Sequence, residues 1–360
     1  MTKDAPKKDL VTRIGNKVAQ RLLDGSVRWL NKRSDTYSTY RQRPKFAAQL
    51  GTQRDRPLDV ERMAIVMQGP LPVPDNFAYE TMAIYRRHMP DVQLILSTWA
   101  DTPEEHLAPM RDLGVEVVPC EKPDVAGLFN INMQLVSAGA GIKKAVEDGA
   151  TWVMKTRVDQ RLYNPNIMAE LAAMAKSFPV MGGFDQKHRI FGIGYGSLKY
   201  APYHVTDQTV FGHADDMLKY WTPPLRADAP PAHFPKTANE IYTQIPIGEE
   251  CRFAAPESYI ASQYLSRIGR ELDWSVQDTW AAYRDSFCFV DYQTTDFFWQ
   301  KTQTWSRLEL MHAYDKVWTR HEITFAHWIL LYSGTLAPEA AARYEGALDQ
   351  LFMSAIDIAD

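Results

Sequence analysis

Cysteine is scarce in this chain. Its 360 residues include three cysteines, Cys120, Cys251 and Cys288, which lie far apart. Three distant thiols exclude a disulfide framework, and without a Cys-x-x-Cys pair they also exclude the common structural zinc sites. We therefore expect a reducing, cytoplasmic environment.

Long apolar runs are lacking as well. No stretch approaches the roughly 18 apolar residues that a membrane-spanning helix needs, and the first residues show no signal-peptide core. With 45% hydrophobic and 23% charged residues, the composition is that of an ordinary globular protein with enough chain for a large core. The sequence predicts no membrane-spanning segment.

Several familiar catalytic motifs are missing. The chain has no Gly-x-x-x-x-Gly-Lys-Ser/Thr loop and no Gly-x-Ser-x-Gly elbow. Its Gly192, Gly194 and Gly196 do not fit the Gly-x-Gly-x-x-Gly spacing of dinucleotide sites. His321 and His327 are six residues apart, so they cannot form the His-Glu-x-x-His zinc helix. These absences exclude P-loop enzymes, α/β-hydrolases and zinc proteases.

The chain does have a strong charge asymmetry. Residues 1–45 contain twelve Lys/Arg and four Asp/Glu, a net charge of +8, so the remainder must carry −12 to give the whole-chain value of −4. A nucleic-acid site is not favoured, because the basic region is short, the rest of the chain is acidic and no nucleic-acid-binding motif occurs.

This basic N-terminal arm, residues 1–45, has an amphipathic pattern. Apolar side chains recur at helical spacing and are flanked by cations. The pattern predicts a helix that lies on an anionic membrane surface, with each basic residue contributing ~1 kcal/mol. The alternatives are a helix that packs on the main domain, and a partly disordered arm. The apolar residues are Val11, Ile14, Val18, Leu22, Trp29 and Leu30, and the flanking cations are Arg13, Lys17, Arg21 and Arg28.

Apolar strands and amphipathic helices alternate from about residue 60 to 220. This β-α-β-α-β-α-β order predicts an α/β fold with a mostly parallel, doubly wound sheet flanked by helices, followed by a helical C-terminal region. Ligands of such sheets bind beyond the carboxyl ends of the strands. We expect the main domain to span residues 60–330 and a C-terminal helix to span 331–360. The predicted strands are 62–69, 92–99, 115–120, 151–157 and 179–185.

One predicted strand ends in charges. In "ATWVMKTRVDQRLYNPN" (150–166), strand alternation places Lys155, Arg157 and Asp159 on one face. An Arg fork and a Lys point charge suit phosphate oxygens, and a carboxylate at the strand end suits Mg²⁺ or Mn²⁺. Together they would fit a nucleotide diphosphate. The alternative is a structural ion pair between Arg157 and Asp159.

Five segments resemble the WavE family of bacterial lipopolysaccharide-synthesis proteins, which are similar to glycosyltransferases of the GT-A type. They run in order over roughly residues 60 to 265, and the Lys-Thr-Arg-x-Asp-Gln-Arg word is the most specific. The segments are "IVMQGPLP" (65–72), "LILSTW" (94–99), "NINMQLVSAGAGIKKAVEDGATWVMKTRVDQR" (130–161), "VTDQTVFGHADDM" (205–217) and "APESYI" (255–260).

The resemblance implies a transferase that moves a sugar from a nucleotide-sugar donor to a lipopolysaccharide, capsule or other surface-glycan acceptor. It also implies that Arg157-Val158-Asp159 replaces the Asp-x-Asp motif of GT-A enzymes. Arg157 stands where the first Asp would be, so a metal would have Asp159 as its one motif ligand. Lipid-linked acceptors would place the protein on the inner face of the bacterial inner membrane, held by residues 1–45.

On this resemblance we expect the donor to contact side chains near three strand ends and one helix start. For a base that takes the proton of the acceptor hydroxyl, the candidates are Asp207, Asp215, Asp216 and Glu257, and Glu257 is favoured. Asp159 and Asp207 complete the predicted catalytic set. The predicted donor-binding residues are Gln68, Gly69, Ser97, Thr98, Trp99, Asn132, Gln134, Lys155, Arg157 and Arg161.

Two other functions stay open. A non-catalytic glycan-binding or assembly subunit could use the same fold, but it would not need a diphosphate clamp at a strand end. A sugar nucleotidyltransferase would share the α/β layout, yet such enzymes carry a Gly-rich, cationic loop after the first strand. Here the loop "MQGPLPVP" (67–74) is rich in proline and has no cation.

Overall fold

The structure is a computed structural model that describes residues 10–33, 37, 42–50, 61–227, 231–300 and 322–351. These residues form two sheets, one with the strand order β3-β2-β1-β4-β7-β6-β8 and one that pairs β5 with β9. The strands are β1 Met63–Gln68, β2 Gln93–Trp99, β3 Glu116–Cys120, β4 Trp152–Arg157, β5 Gln160–Leu162, β6 Ile190–Ile193, β7 Thr209–His213, β8 Phe287–Val290 and β9 Phe297–Trp299.

Helices cover the sheet and extend beyond it. Short 3₁₀ segments add to them at 47–49, 74–76, 128–130 and 338–349. The helices are α1 Leu10–Arg33, α2 Phe77–His88, α3 Glu104–Asp112, α4 Ile131–Glu147, α5 Ile167–Ser177, α6 Ala214–Trp221, α7 Ala238–Gln244, α8 Ile247–Phe253, α9 Pro256–Arg267, α10 Val276–Ser286 and α11 Phe325–Tyr332.

The central strands are buried on both faces. All six residues of β1 are buried, as are the first five of β4, which matches the continuous apolar runs of strands covered by helices on both sides. The predicted fold class is confirmed: the sheet is α/β, mostly parallel and doubly wound, with one antiparallel strand, β7, between β4 and β6.

The strand order reverses at one point. From β1 the chain moves outward through β2 to β3, and it then returns to place β4 on the other side of β1. Right-handed crossovers put α2 and α3 on one face of the sheet and α4 on the other. The gap between the carboxyl ends of β1 and β4 is therefore a topological switch point, where ligands of such folds bind.

Two predicted elements differ. The strand predicted at 179–185 is a turn, because Gly182 and Gly183 adopt φ values of +86° and +70°, which a strand cannot contain. In place of the helix predicted over 331–360, α11 ends at Tyr332 and residues 338–349 form 3₁₀ turns after Pro338. Residues 352–360 lie outside the described residues.

Helix α1 is amphipathic, as predicted, and its apolar stripe faces solvent. Val11, Leu22 and Trp29 are 78%, 67% and 57% exposed. Within the described residues, no helix combines the length and the hydropathy needed to cross a bilayer. The rest of the predicted arm, apart from residues 37 and 42–45, lies outside the described part of the chain.

Arg161 has a structural role that the sequence did not predict. It is 1% exposed, and its guanidinium donates to the carbonyls of Pro44 and Lys45 at 3.2 and 3.1 Å and to Thr81 Oγ1 at 2.9 Å. The side chain lies over the Phe77 ring, 4.2 Å from its centroid. Arg161 thus fixes residues 44–45 to α2 and does not line the cleft described below, which corrects its predicted role in donor binding.

We expect Arg161→Met to destabilise the fold by about 3 kcal/mol or more, because several buried acceptors would lose their donor. Chemical denaturation measures this. Arg62→Met is the matched control, since Arg62 is exposed and donates to one carbonyl, that of Asp148. Unchanged stability together with lost nucleotide binding would instead restore the donor-binding role of Arg161.

Candidate functional site

A cleft of 530 Å³ opens at the switch point. Its walls come from the segments that follow β1 and β4 and from the first turns of α4. Arg157 is the one Lys or Arg among the described lining residues. These residues are Gln68, Gly69, Pro70, Pro72, Val73, Pro74, Trp99, Phe129, Asn130, Met133, Gln134, Ser137, Arg157, Val158 and Asp159.

Gly69 allows the two strand ends to meet. Its φ is +136°, and a Cβ there would lie 2.8 Å from Val158 Cγ2, so a larger residue would not fit. The Val158 N–H donates to the Gln68 carbonyl at 3.0 Å and extends the β1–β4 pairing by one residue. The Gly69 N–H donates to the Ser97 carbonyl at 3.1 Å, so it is not available for the donor.

Arg157 and Asp159 form the charged end of β4. Arg157 Nε donates to Asp159 Oδ1 at 3.3 Å, and Trp299 Nε1 donates to Asp159 Oδ2 at 3.1 Å. The Asp159 carboxylate is nearly buried, whereas the Arg157 side chain keeps 26% of its surface exposed. Asp159 therefore orients Arg157, and the guanidinium can reach a ligand in the cleft.

The start of α4 faces the same cleft. Phe129 and Asn130 both have left-handed backbone conformations, with φ near +55° and +60°, and they turn the chain into the helix. The 17-residue helix has no acidic side chain in its first turn, so the positive end of its dipole is not neutralised there. Helix starts of this kind bind phosphate groups.

Polar side chains of α4 fix the back of the cleft. Ser137 Oγ donates to Gln68 Oε1 at 2.7 Å, and Gln134 Nε2 donates to the Asp207 carbonyl at 3.2 Å. These bonds join α4 to the end of β1 and to the segment before β7. Of the predicted donor-binding residues, the cleft lining includes Gln68, Gly69, Trp99, Gln134 and Arg157, together with the predicted catalytic Asp159.

Lys155 does not reach the cleft, which corrects its predicted role as a phosphate ligand. It is fully buried, and its Nζ donates to the carbonyls of Asp207 and Gln208 and lies 4.3 Å from the centroid of the Trp221 ring. Burial lowers the pKa of Lys155 to about 7, against the opposing charge of Asp207. Lys155 precedes Arg157 by two residues in β4, so it lies inside the sheet and not at the strand end that borders the cleft.

Ser97, Thr98 and Asn132 are also buried and do not line the cleft. Ser97 Oγ donates to the Ser137 carbonyl at 2.6 Å, so it ties β2 to α4. Asn132 Nδ2 donates to the carbonyls of Val125 and Arg226, each at 3.0 Å. Thr98 Oγ1 lies 3.2 Å from Thr102 Oγ1. Ser97 and Asn132 therefore stabilise the cleft wall, and the predicted contact of all three side chains with the donor is corrected.

A group of carboxylates lies beside the cleft. Glu257 begins α9, keeps 25% of its side chain exposed and places Oε2 3.8 Å from His204 Nε2. Burial, reinforced by the negative charge of Asp207, raises the pKa of Glu257 to about 8, while Arg157 opposes that rise. Burial also lowers the pKa of His204 to about 4. A carboxyl that titrates near neutral pH is suited to acid–base catalysis.

The other candidate bases have structural partners. Both Asp216 oxygens accept from the Lys187 N–H, and Oδ2 also accepts from the His188 N–H at 2.9 Å. Asp215 pairs with the Lys187 ammonium. Asp207 is 7% exposed and does not line the cleft, but its charge acts on Glu257. Glu257 does not line the cleft either, but the charge of Arg157 at the cleft acts on it, and it stays the predicted base.

The described residues do not form a metal site by themselves. No group of three or more His, Cys, Asp or Glu side chains with the geometry of a metal site occurs among them. At the cleft, Asp159 is the one acidic side chain in the lining, and both its oxygens already accept hydrogen bonds. The prediction of Mg²⁺ or Mn²⁺ at Asp159 stays a prediction, and it requires phosphate ligands from a donor.

Several site residues escaped the sequence analysis. Trp299 orients Asp159 from 140 residues away, and His204 approaches Glu257 across 53 positions. Such distant pairs leave no periodic signal in a single sequence. The left-handed turn at Phe129 also lacks a signal, because it uses a bulky residue where glycine would be expected.

Comparisons with solved structures find weak similarity. Mannose-1-phosphate geranyltransferase from Thermus thermophilus is 14% identical with a TM-score of 0.30, over 45% of this chain and 62% of that one. The 4-diphosphocytidyl-2C-methyl-D-erythritol synthase of Anaerococcus prevotii is 8% identical with a TM-score of 0.36, over 65% and 90% of the two chains. HddC from Yersinia pseudotuberculosis is 14% identical with a TM-score of 0.28, over 44% and 79%. Scores this low carry no argument about function.

Sequence comparison is more informative. Curated proteins give no significant match. The family model for WavE lipopolysaccharide synthesis, however, matches residues 63–345, from the first residue of β1 through most of the 3₁₀ turns that follow α11. The match includes the cleft, Arg157 and Asp159 at the end of β4, and Glu257 on α9. The chain belongs to the WavE lipopolysaccharide synthesis family.

Proposed function

We propose that this protein is a glycosyltransferase that moves a sugar from a nucleotide-sugar donor to a lipopolysaccharide, capsule or other surface-glycan acceptor. One observation carries the proposal: the cleft at the switch point brings the Arg157 guanidinium and the start of α4 to the same opening. Both are sources of positive charge, and both suit phosphate oxygens.

The leaving group explains why this charge is needed. Transfer breaks the bond between the anomeric carbon and the diphosphate, and the bonding electrons remain on the diphosphate oxygen. Arg157 would stabilise that charge with a forked pair of hydrogen bonds, and Asp159 and Trp299 would hold the guanidinium in place. The prolines and Trp99 give the nucleotide an apolar wall.

Glu257 would supply the base. In its ionised form it accepts the proton of the acceptor hydroxyl while the oxygen of that hydroxyl forms the new bond to the anomeric carbon. A carboxyl with a pKa of about 8 is a stronger base than an ordinary Glu. We propose that His204, whose Nε2 lies 3.8 Å from Glu257 Oε2, positions the protonated carboxyl that forms when Glu257 takes the proton.

The alternatives fit the cleft less well. A sugar nucleotidyltransferase must bind a nucleoside triphosphate, yet the loop at residues 69–74 brings prolines and no cation to the cleft. A purely glycan-binding subunit would not need a guanidinium fixed by a buried carboxylate at a strand end.

We also propose that α1 holds the protein on the inner face of the inner membrane. Its exposed apolar stripe is accompanied by exposed cations, among them Lys17, Arg21 and Arg28. That combination complements an anionic lipid surface, where apolar side chains enter the interface and cations meet the headgroups. Lipid-linked acceptors would be reached from such a position.

Arg157→Met should weaken the binding of nucleoside diphosphates about 10- to 100-fold, because a charged hydrogen-bond donor contributes about 1.5–3 kcal/mol. Calorimetry with UDP, GDP, CDP, ADP and dTDP measures this on the full chain. Arg111→Met is the control, since Arg111 forms an exposed ion pair with Glu104. Equal affinity in the wild type and Arg157→Met would contradict the diphosphate site.

The same titrations test the metal. Asp159 offers a single carboxylate, so we expect Mn²⁺ to bind detectably only with a nucleoside diphosphate and each to raise the affinity of the other. Asp159→Asn should remove this coupling. If the diphosphate binds equally well in Mn²⁺ and in EDTA, the donor site is independent of metal.

The rate should depend on the ionisation of Glu257. A base works when deprotonated, so kcat/KM should rise with pH and level off above about 8. Glu257→Gln should lower the rate about 10²- to 10⁴-fold and abolish this rise. Asp215→Asn is the control, because Asp215 is an exposed partner of Lys187. A variant Glu257→Gln with the wild-type pH profile would rule out this base.

Lys17→Glu with Arg21→Glu should release the full chain from vesicles that contain phosphatidylglycerol at low salt, as measured by sedimentation. Added salt should have a similar effect on the wild type, since screening weakens surface electrostatics. Lys143→Glu with Lys236→Glu changes the net charge equally but on the exposed surface of the main domain. Equal release by both double variants would show that α1 is not the membrane contact.

A further inference from the structure

A second pocket, of 350 Å³, opens on the same edge of the sheet. Strand β7 is antiparallel to both β4 and β6, so β6 and its parallel neighbour β8 run in the direction of β4. The pocket therefore lies beyond carboxyl strand ends, as the cleft does. Its lining residues are Gly192, Gly194, Ser197, Phe289, Val290, Asp291, Tyr292, Gln293, Thr294, Glu322, Ile323 and Thr324.

The chemistry of this pocket is opposite to that of the cleft. Its described lining contains two acidic side chains, Asp291 and Glu322, and no Lys, Arg or His. A phosphate would find no cationic partner in this lining. Hydroxyl groups of Ser197, Thr294 and Thr324 and the amide of Gln293 add donors and acceptors, so the pocket suits a neutral ligand rich in hydroxyl groups.

The two carboxyl groups belong to a rigid frame. Glu322 Oε1 accepts from the Gly196 N–H at 3.0 Å, and Asp291 Oδ1 accepts from the Phe325 N–H, at the start of α11, at 3.1 Å. Burial raises the pKa of Glu322 to about 8 and also raises the pKa of Asp291. Near neutral pH the Glu322 carboxyl is mostly protonated, so it can donate as well as accept a hydrogen bond.

An aromatic ring completes the lining. Tyr292 lies against Tyr195 with ring centroids 4.4 Å apart and an interplanar angle of 32°. The neighbouring ring fixes the position of Tyr292 at the pocket. An aromatic side chain in a lining that also has hydroxyl and carboxyl groups suits a sugar ring, which has both apolar C–H surfaces and hydroxyl groups.

The pocket is joined to Glu257 by a short polar path. The Gly196 N–H donates to Glu322, and the Gly196 carbonyl lies 2.8 Å from His204 Nδ1. With His204 neutral, the Nδ1–H donates to that carbonyl, so Nε2 presents a lone pair toward Glu257, 3.8 Å away. One loop, residues 194–197, thus borders the pocket and orients the side chain next to the base.

We propose that this second pocket binds a neutral, hydroxyl-rich sugar ring of the acceptor glycan, with Asp291 and Glu322 as hydrogen-bonding partners of its hydroxyl groups. The inference rests on the proposed transferase function and names the acceptor side of its site. The donor cleft with Arg157 would hold the diphosphate, and the second pocket would hold the acceptor sugar on the far side of the end of β4.

Ligand-observed NMR with methyl glycosides of glucose, galactose and mannose tests the proposal on the full chain. We expect at least one to bind in the millimolar range. Thr294→Trp, which adds bulk at an exposed position in the pocket lining, should weaken that binding at least tenfold. Thr335→Trp makes the same change at an exposed threonine outside the pocket and should have no effect.

Two further arms separate this proposal from the donor site. Thr294→Trp should bind nucleoside diphosphates as the wild type does, and Arg157→Met should bind the methyl hexoside as the wild type does. Methyl glucuronide should bind more weakly than methyl glucoside, because its carboxylate would lose water without gaining a cationic partner in the described lining. Methyl hexoside binding that is unchanged in Thr294→Trp, or no binding by any of the three, would overturn the acceptor pocket. If the wild type does not bind nucleoside diphosphates, that result would count against the donor site and not against the acceptor pocket.

Discussion

The parallel pairing of β1 with β4 is the constraint on which the site depends. Its register places Gln68 opposite Arg157, and the Val158 N–H adds one more bond to the Gln68 carbonyl. Gly69 must then follow without a side chain, because Val158 occupies the space that a Cβ would need. The backbone segments that follow β1 and β4 separate after this point. The paired strand ends therefore form the floor of the cleft and fix the position of the Arg157 backbone.

The three cations of the Lys-Thr-Arg-x-Asp-Gln-Arg motif have different roles because they occupy different positions in the sheets. Strand alternation correctly predicts that Lys155 and Arg157 share a face. Lys155, however, lies inside the sheet, where carbonyls and the Trp221 ring replace water, whereas Arg157 lies at the rim. Arg161 belongs to β5 and is directed to carbonyls of residues 44–45 and α2. A single cationic motif thus has two structural residues and one that faces the cleft.

The sequence predicted the architecture well because the signals for it are local. The apolar runs predicted as strands at 62–69, 92–99, 115–120 and 151–157 agree with β1 to β4 to within one residue at each end. The prediction failed at 179–185, where glycine conformation overrides an apolar pattern, and it missed the five strands from β5 to β9. These errors lie where tertiary packing, not local preference, decides the structure.

The site was predictable only in part for the same physical reason. Strand ends were identified, so Gln68, Trp99 and Arg157 were correctly expected at one cleft, and their contact with a donor stays a prediction. Burial could not be read from one sequence, so Ser97 and Asn132 were expected at the cleft although they are buried in its wall. Pairs such as Asp159 with Trp299 depend on β5 pairing with β9, a contact between distant segments. Such a contact leaves no periodic pattern in the sequence.

Cationic and acidic groups occupy different parts of the carboxyl edge of the sheet. The cleft at β1 and β4 carries Arg157 and the positive end of α4, while the pocket at β6 and β8 carries Asp291 and Glu322. Glu257 is subject to opposing effects: burial and the negative charge of Asp207 raise its pKa, and the positive charge of Arg157 lowers it. In the proposed reaction, a bound diphosphate would neutralise Arg157, and its departure would let the guanidinium act more strongly on Glu257. The basicity of Glu257 would therefore fall as product leaves, which favours release of the proton it has taken and prepares the carboxylate for the next donor.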